Sequence, residues 1–212
     1  MSRPLAAVTG GSGGIGRAVI AELEARGWQT LSLSRHDGVD VTDETAVRAA
    51  FGRVDRLDAL VHCAAVLVKA PLLELSAADW DAQIDASLRG AFLCAREAFR
   101  RMRRGGAIVL VSSLSGVAGA EKFPGMSAYV AAKSGLAGLN EALAVEGRPL
   151  GIRVNAISPG AVDTPMLKIS GVEGPRLQPV EVARVIAWLC SPESSPLSGA
   201  NLRLDPASDA AE

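Results

Sequence analysis

Two residues of this chain are spaced to move a proton. Tyr129 and Lys133 stand four apart in Tyr129-Val130-Ala131-Ala132-Lys133, neighbours on one face of a helix. An isolated phenol has a pKa of about 10, too high for proton exchange near neutrality. An adjacent ammonium stabilises the phenolate and lowers that value, so the pair suits giving a proton to a carbonyl oxygen or taking one from an alcohol. Tyr129 is the only tyrosine in the chain. Surface Tyr–Lys pairs at this spacing are common, however, and the pair acquires meaning only beside a second element.

That element is the run Thr9-Gly10-Gly11-Ser12-Gly13-Gly14-Ile15-Gly16. Its glycines permit positive φ and let a ligand touch the backbone. A helix that starts near Gly14 or Ile15 offers free N–H groups and a partial positive charge to a pyrophosphate. Glycine-rich turns also simply reverse a chain. A position between the first strand and the first helix is what points to a dinucleotide.

The surrounding pattern sets the frame for both. Short apolar runs, Leu5–Val8, Thr30–Leu33, Ala59–Cys63, Ala107–Val111, Arg153–Ile157 and Asn201–Leu204, read as buried strands. Ile15, Val19 and Leu23 recur at helical spacing, with Gly27 as a C-terminal stop. Trp80, Ile84, Leu88, Phe92, Phe99 and Met102 mark a long helix from near Asp79, and a third helix runs from about Ser127 to Val145. Strands alternating with helices predict a doubly wound parallel sheet in a three-layer α/β/α arrangement, with ligands at the carboxyl ends of the strands. Only Ser34-Arg35-His36-Asp37-Gly38 separates Leu33 from Val39, so the crossover there is missing or reduced to a turn. Residues 1–212 read as a single domain, with a short mobile lid at about 164–179 and a frayed tail at 206–212.

The bulk numbers exclude other classes. Hydrophobic residues make up 49% and charged residues 21%, the balance of a globular chain. A net charge of −1 without Lys or Arg runs, and only 4% aromatic residues, argue against nucleic acid as a partner. No apolar run reaches the length of a membrane span, and no signal segment is recognised, so the expected location is cytoplasmic. Cys63, Cys94 and Cys190 are widely spaced and fit reduced thiols. His36 and His62 lie too scattered among acids and thiols to suggest a metal site.

Thr9-Gly10-x-x-x-Gly14-x-Gly16 together with Tyr129 and Lys133 resembles the short-chain dehydrogenase/reductase family, a likeness extending from Leu5 to about Asp205. The resemblance implies a Rossmann-like domain and hydride transfer between NAD(H) or NADP(H) and a carbonyl/alcohol pair on a small organic substrate. Homodimers or homotetramers are expected. It implies that Tyr129 is the acid/base, that Lys133 lowers its pKa and binds the nicotinamide ribose, and that Ser113 polarises the carbonyl. The segment before Tyr129 is longer than usual around Glu121-Lys122-Phe123, which leaves Ser115 as an alternative to Ser113. By the same resemblance the cofactor is contacted by Gly10, Ser12, Gly14, Ile15, Gly16, Asp40, Val41, Cys63, Ala64, Tyr129 and Lys133. Pro159, Gly160, Val162 and Thr164 complete that set in the nicotinamide-side loop.

Two segments depart from the family pattern. His62-Cys63-Ala64-Ala65 replaces Asn-Asn-Ala-Gly, removing an amide that braces the sheet. Ser87 replaces the asparagine that holds a water of the proton relay, either as a partial substitute or as an inert helix residue bonded one turn back. The end of the second strand lacks the acid that accepts a ribose 2′-hydroxyl, whereas Arg35 suits a 2′-phosphate; NADP(H) is therefore favoured, and Asp37 keeps NAD(H) open. The rival reading is a dinucleotide-binding sensor or scaffold with a weakened relay. A sugar-nucleotide epimerase or dehydratase would need a substrate domain for which the C-terminal part leaves no room.

Overall fold

A computed structural model describes residues 3–205; the predicted tail at 206–212 lies outside the described residues. Each predicted strand is present: β1 (Leu5–Thr9), β2 (Gln29–Leu33), β3 (Leu57–His62), β4 (Met102–Val111), β5 (Arg153–Pro159) and β6 (Asn201–Leu204). All pair in parallel, in the order β2-β1-β3-β4-β5-β6. The chain thus leaves β1 towards β2 and then returns past β1 to β3. That reversal opens a crevice between the carboxyl ends of β1 and β3, where doubly wound folds bind ligands.

Among the described residues the α-helices are α1 (Gly14–Ala25), α2 (Glu44–Phe51), α3 (Ala77–Ile84), α4 (Gly90–Arg101), α5 (Ser127–Gly147), α6 (Pro165–Ser170) and α7 (Pro179–Cys190). Strand alternation sorts the side chains into two apolar layers. Ala6 and Val8 face Val19 and Leu23 of α1 and Ile186 of α7, whereas Ala7 faces the layer that holds Phe51, Leu93 and Leu136. The architecture is the predicted Rossmann-like three-layer sandwich. α3 continues into α4 through a π-turn at Asp85–Arg89, with helical backbone at Ile84 and Gly90 on either side.

The gap after β2 holds only a 3-10 turn, Arg35–Asp37, as its length demanded. The sequence reading missed α2, α6 and α7. Asp43 starts α2 by accepting from Thr45 N and Ala46 N. Asp40 accepts from the backbone N–H and the hydroxyl of Thr42. In α7, Pro179 and the Glu181 carboxylate, which accepts from Gln178 N, mark the first turn.

One helix positions the chemistry. Along α5, Tyr129, Lys133, Leu136, Asn140 and Ala144 are all buried on a single stripe. Fully burying a side chain such as Leu136 stabilises by about 1.5–3 kcal/mol. Seating it fixes the rotation of α5 and forces the Lys133 ammonium inward.

Candidate active site

The glycine turn is shaped for close backbone approach. Gly10 has φ +63°, and a Cβ there would come within 2.9 Å of Ala64 N; at Gly16 it would lie 2.2 Å from Gly10 O. At Gly14 an added Cβ would meet Thr164 Cγ2 at 2.5 Å, so the first and last predicted segments of the site touch. Thr9 Oγ1 accepts from Cys63 N and Ala64 N, both at 3.1 Å, and binds the ends of β1 and β3 together.

Hydrogen bonds then staple α5 to the end of β4. Lys133 Nζ donates to Val111 O at 2.8 Å, Ser112 Oγ to Lys133 O at 2.8 Å, and Ser134 Oγ to Gly116 O at 3.1 Å. A Cβ at Gly116 would strike the Lys133 backbone at 2.5 Å. These contacts bring Ser113, just past β4, to Tyr129. The Ser113 hydroxyl also caps the following turn by accepting from Ser115 N. Both serines line the same cavity, but Ser113 is the one close enough to the Tyr129 phenol to lower its pKa.

Electrostatics here differs from the simple expectation. Burial raises the Tyr129 phenol above its usual value, against the opposing hydrogen bond from Ser113. Burial likewise pushes the Lys133 ammonium down to about 8. Lys133 Nζ lies 5.6 Å from the centre of the Tyr129 ring, over its face. Desolvation therefore outweighs the lowering of the phenol that the sequence spacing suggested.

A cavity of about 620 Å³ opens beside these groups. It gathers Ile15, Ser113, Tyr129, Pro159, Gly160, Val162 and Thr164 of the predicted set. Its outer wall is apolar, with Leu67, Phe123, Met126, Met166 and Leu167, while Glu121, Glu173, Arg203 and Asp205 stand at the margin. Gly10, Ser12, Arg35, Asp40, Val41, Cys63 and Ala64 are not part of that wall; they follow β1, β2 and β3 on the other side of the crevice. Val41 is buried, against Gly90 of α4, and Arg35 is exposed.

Ser87 sits in the π-turn, fully buried, and its hydroxyl has no partner. The bond to the previous turn, one of the two alternatives for Ser87, is not made. Its carbonyl instead accepts from His62 Nε2 at 3.1 Å. Thr9 Oγ1, already accepting two N–H groups, has its one proton left for His62 Nδ1, 2.9 Å away. That assignment makes His62 a neutral Nε2–H tautomer. Burial, with the nearby Lys133 charge second, agrees by pushing its pKa down to about 3. The brace thought lost with the usual asparagine is supplied by this ring. Sequence reading had no means of finding it, because its partners lie 53 and 25 residues away. It likewise missed Ser112, whose only signal was adjacency to Ser113.

The family model described as enoyl-(acyl carrier protein) reductase matches residues 20–206. Cyclopentanol dehydrogenase of Comamonas sp. is 34% identical, covering 90% of this chain and 81% of the relative. Cis-4-hydroxycyclohexanecarboxylate dehydrogenase of Sinomonas cyclohexanicum is 36% identical over 95% and 94% of the two chains. This chain belongs to the short-chain dehydrogenase/reductase family. A solved member from Burkholderia cenocepacia, in complex with NADP, superposes with a TM-score of 0.83 at 28% identity, covering 96% of each chain. As a short-chain dehydrogenase/reductase, the protein is an oxidoreductase that interconverts an alcohol and a carbonyl on a small molecule with a nicotinamide dinucleotide. The crowded glycines and the inward-facing Lys133 fit that cofactor. Among the described residues, no helix is long and apolar enough to cross a membrane.

Proposed function

We propose that this chain carries out reversible hydride transfer at the cavity beside Tyr129, with NADP(H) as the favoured cofactor. The observation that carries the reading is the convergence of Tyr129, Lys133 and Ser113 next to the glycine turn. The nicotinamide supplies or accepts the hydride. In the oxidising direction the Tyr129 phenolate takes the hydroxyl proton; in the reducing direction the phenol returns it to the carbonyl oxygen. Ser113 donates a hydrogen bond to that oxygen, and the Lys133 ammonium stabilises the phenolate and holds the ribose hydroxyls. Ser87, with its free hydroxyl in the π-turn, is the candidate fourth member.

Gly10, Ser12, Gly14, Ile15 and Gly16 present backbone to the pyrophosphate, and the exposed Arg35 receives a 2′-phosphate. Cys63 and Ala64 border the adenosine ribose, Asp40 and Val41 border the adenine, and Pro159, Gly160, Val162 and Thr164 border the nicotinamide. The lid includes α6 and is tied to the rest by Lys69 Nζ donating to Ser170 O at 2.7 Å. The apolar wall suits a compact alicyclic alcohol or ketone, in keeping with the alicyclic names of the two curated relatives. We further read the protein as a homodimer or homotetramer of the cytoplasm, consistent with three free thiols.

The test is turnover of cyclopentanol and cyclohexanol with NADP and NAD, and of the ketones with the reduced forms. Tyr129→Phe should lower kcat by about 10²–10⁴-fold without changing cofactor affinity. Oxidation should quicken as pH rises, because phenolate is the proton acceptor. Equal rates in Tyr129→Phe and wild type would sink the assignment.

A further inference from the structure

The long segment between Ser115 and Tyr129 is tied down at two points. Lys122 Nζ folds back to donate to Val117 O at 2.7 Å and to Ala120 O at 3.0 Å, which knots the first half of the segment. Three residues on, Ala70 N, from the stretch between β3 and α3, donates to Gly125 O at 3.0 Å. A Cβ at Gly125 would lie 3.1 Å from Lys69 Cγ, so the two stretches touch at that point. Phe123 stands between the two ties, and Pro124 after it restricts its backbone to extended conformations.

The half-buried Phe123 side chain lines the cavity. It packs against Leu67, Met126 and Tyr129, a small buried apolar cluster separate from the two layers on the sheet. Met166 reaches the same cluster from α6 in the lid. The two differ in how far they give way. An unbranched thioether refits itself to whatever lies beside it, whereas the phenyl ring of Phe123 is rigid and its backbone is tied on both flanks. Besides Tyr129 it is the only aromatic side chain in that wall among the described residues. The cavity of about 620 Å³ must also hold the nicotinamide end of the cofactor beside Ile15 and Pro159, so the substrate has only part of it. We propose that Phe123 sets the size limit of the substrate. It admits a single five- or six-membered ring to Tyr129 and excludes fused rings, because a second ring would have to occupy the place of its own. The inference rests on the hydride-transfer reading above and narrows it to monocyclic alcohols and ketones.

Initial rates of the whole protein with cyclopentanol, cyclohexanol and decahydro-2-naphthol, beside titration with NADPH, test this. Wild type should turn over both single rings and discriminate against the fused one. In Phe123→Ala, kcat/KM for decahydro-2-naphthol relative to cyclohexanol should rise about ten-fold or more, chiefly through KM, with NADPH affinity unchanged. Phe123→Trp should move the preference the other way, from cyclohexanol towards cyclopentanol. A smaller rise in Phe123→Ala overturns the proposal, and so does a wild type equally efficient on the fused and single six-membered rings. If Phe123→Ala misfolds and loses NADPH binding, Phe123→Trp decides, and an unchanged ratio of the two single rings overturns the proposal there. Failure of the wild type on all three alcohols and their ketones, with either cofactor, would instead bring down the hydride-transfer reading, and this inference with it.

Discussion

The two sides of the crevice are built on opposite principles. On the glycine-turn side the backbone itself is the surface, and little there has room to move. Gly10, Gly14 and Gly16 each exclude a Cβ, and Thr9, His62 and the Ser87 carbonyl satisfy one another. On the lid side the wall is made of side chains such as Met166 and Phe123. Backbone bonds between Ala161–Asp163 and Leu177 close the segment on itself, and Lys69 Nζ ties it to the rest by donating to Ser170 O. A dinucleotide common to many reactions is recognised by shape that side-chain changes barely reach. A substrate particular to one enzyme is recognised by groups that single substitutions remake.

The sharpest way to break this contrast is Gly16→Ala. The added methyl would overlap Gly10 O, so the turn must shift, and cofactor affinity should fall by at least about a hundred-fold, a loss near 3 kcal/mol. Titration with NADPH measures it; a loss under three-fold would show the turn to be as adaptable as the lid.

A second prediction concerns the brace. His62 is neutral in the fold, with a pKa near 3, and has its ordinary value of 6.5 once unfolded. Between those values the unfolded chain binds the extra proton. Its contribution to stability is therefore intact above about pH 6.5 and lost as pH falls towards 3. His62→Leu should flatten that acid slope of Tm. At pH 7 it should cost on the order of 2–4 kcal/mol, since Thr9 and the Ser87 carbonyl lose a buried partner. Parallel Tm profiles for the two proteins would exclude the assigned tautomer.

The smallest effect belongs to the lid. Lys69→Ala removes the tie to Ser170 O, and Lys69 is exposed, so stability should change by less than about 0.5 kcal/mol. KM for cyclopentanol should shift a few-fold with NADPH affinity unchanged. A change in cofactor affinity as large as that in KM would erase the distinction between the two sides.

Much of this was legible because it is local. Buried strands announce themselves as apolar runs, and Tyr129 with Lys133 falls on one helical stripe whatever surrounds it. The short gap after Leu33 bounded the turn by length alone. The missed α2 and α7 had local signals too, the Asp43 cap, the Pro179 start and apolar residues at helical spacing such as Val47 with Phe51 and Val182 with Ile186. What spacing could not supply was any contact set by the third dimension. The turn of Asp37 onto Ser32 and Ser34 was hidden, as was the ring of His62 between β1 and the π-turn. The direction of the Tyr129 shift was hidden for the same reason, since burial depends on how α5 lies against β4.

The π-turn at Asp85–Arg89 also carries a lesson about inheritance. A π-turn takes up one residue more than an α-turn, so the extra residue is absorbed within that turn and the helix beyond keeps its face. Cys94, Ala98 and the Arg-paired Glu97 accordingly stay on the buried side of α4. What the extra residue changes is the turn itself, where the Ser87 carbonyl meets His62. Among descendants of this gene, loss of one residue between Asp85 and Arg89 should accompany replacement of His62 and leave the apolar residues of α4 in place.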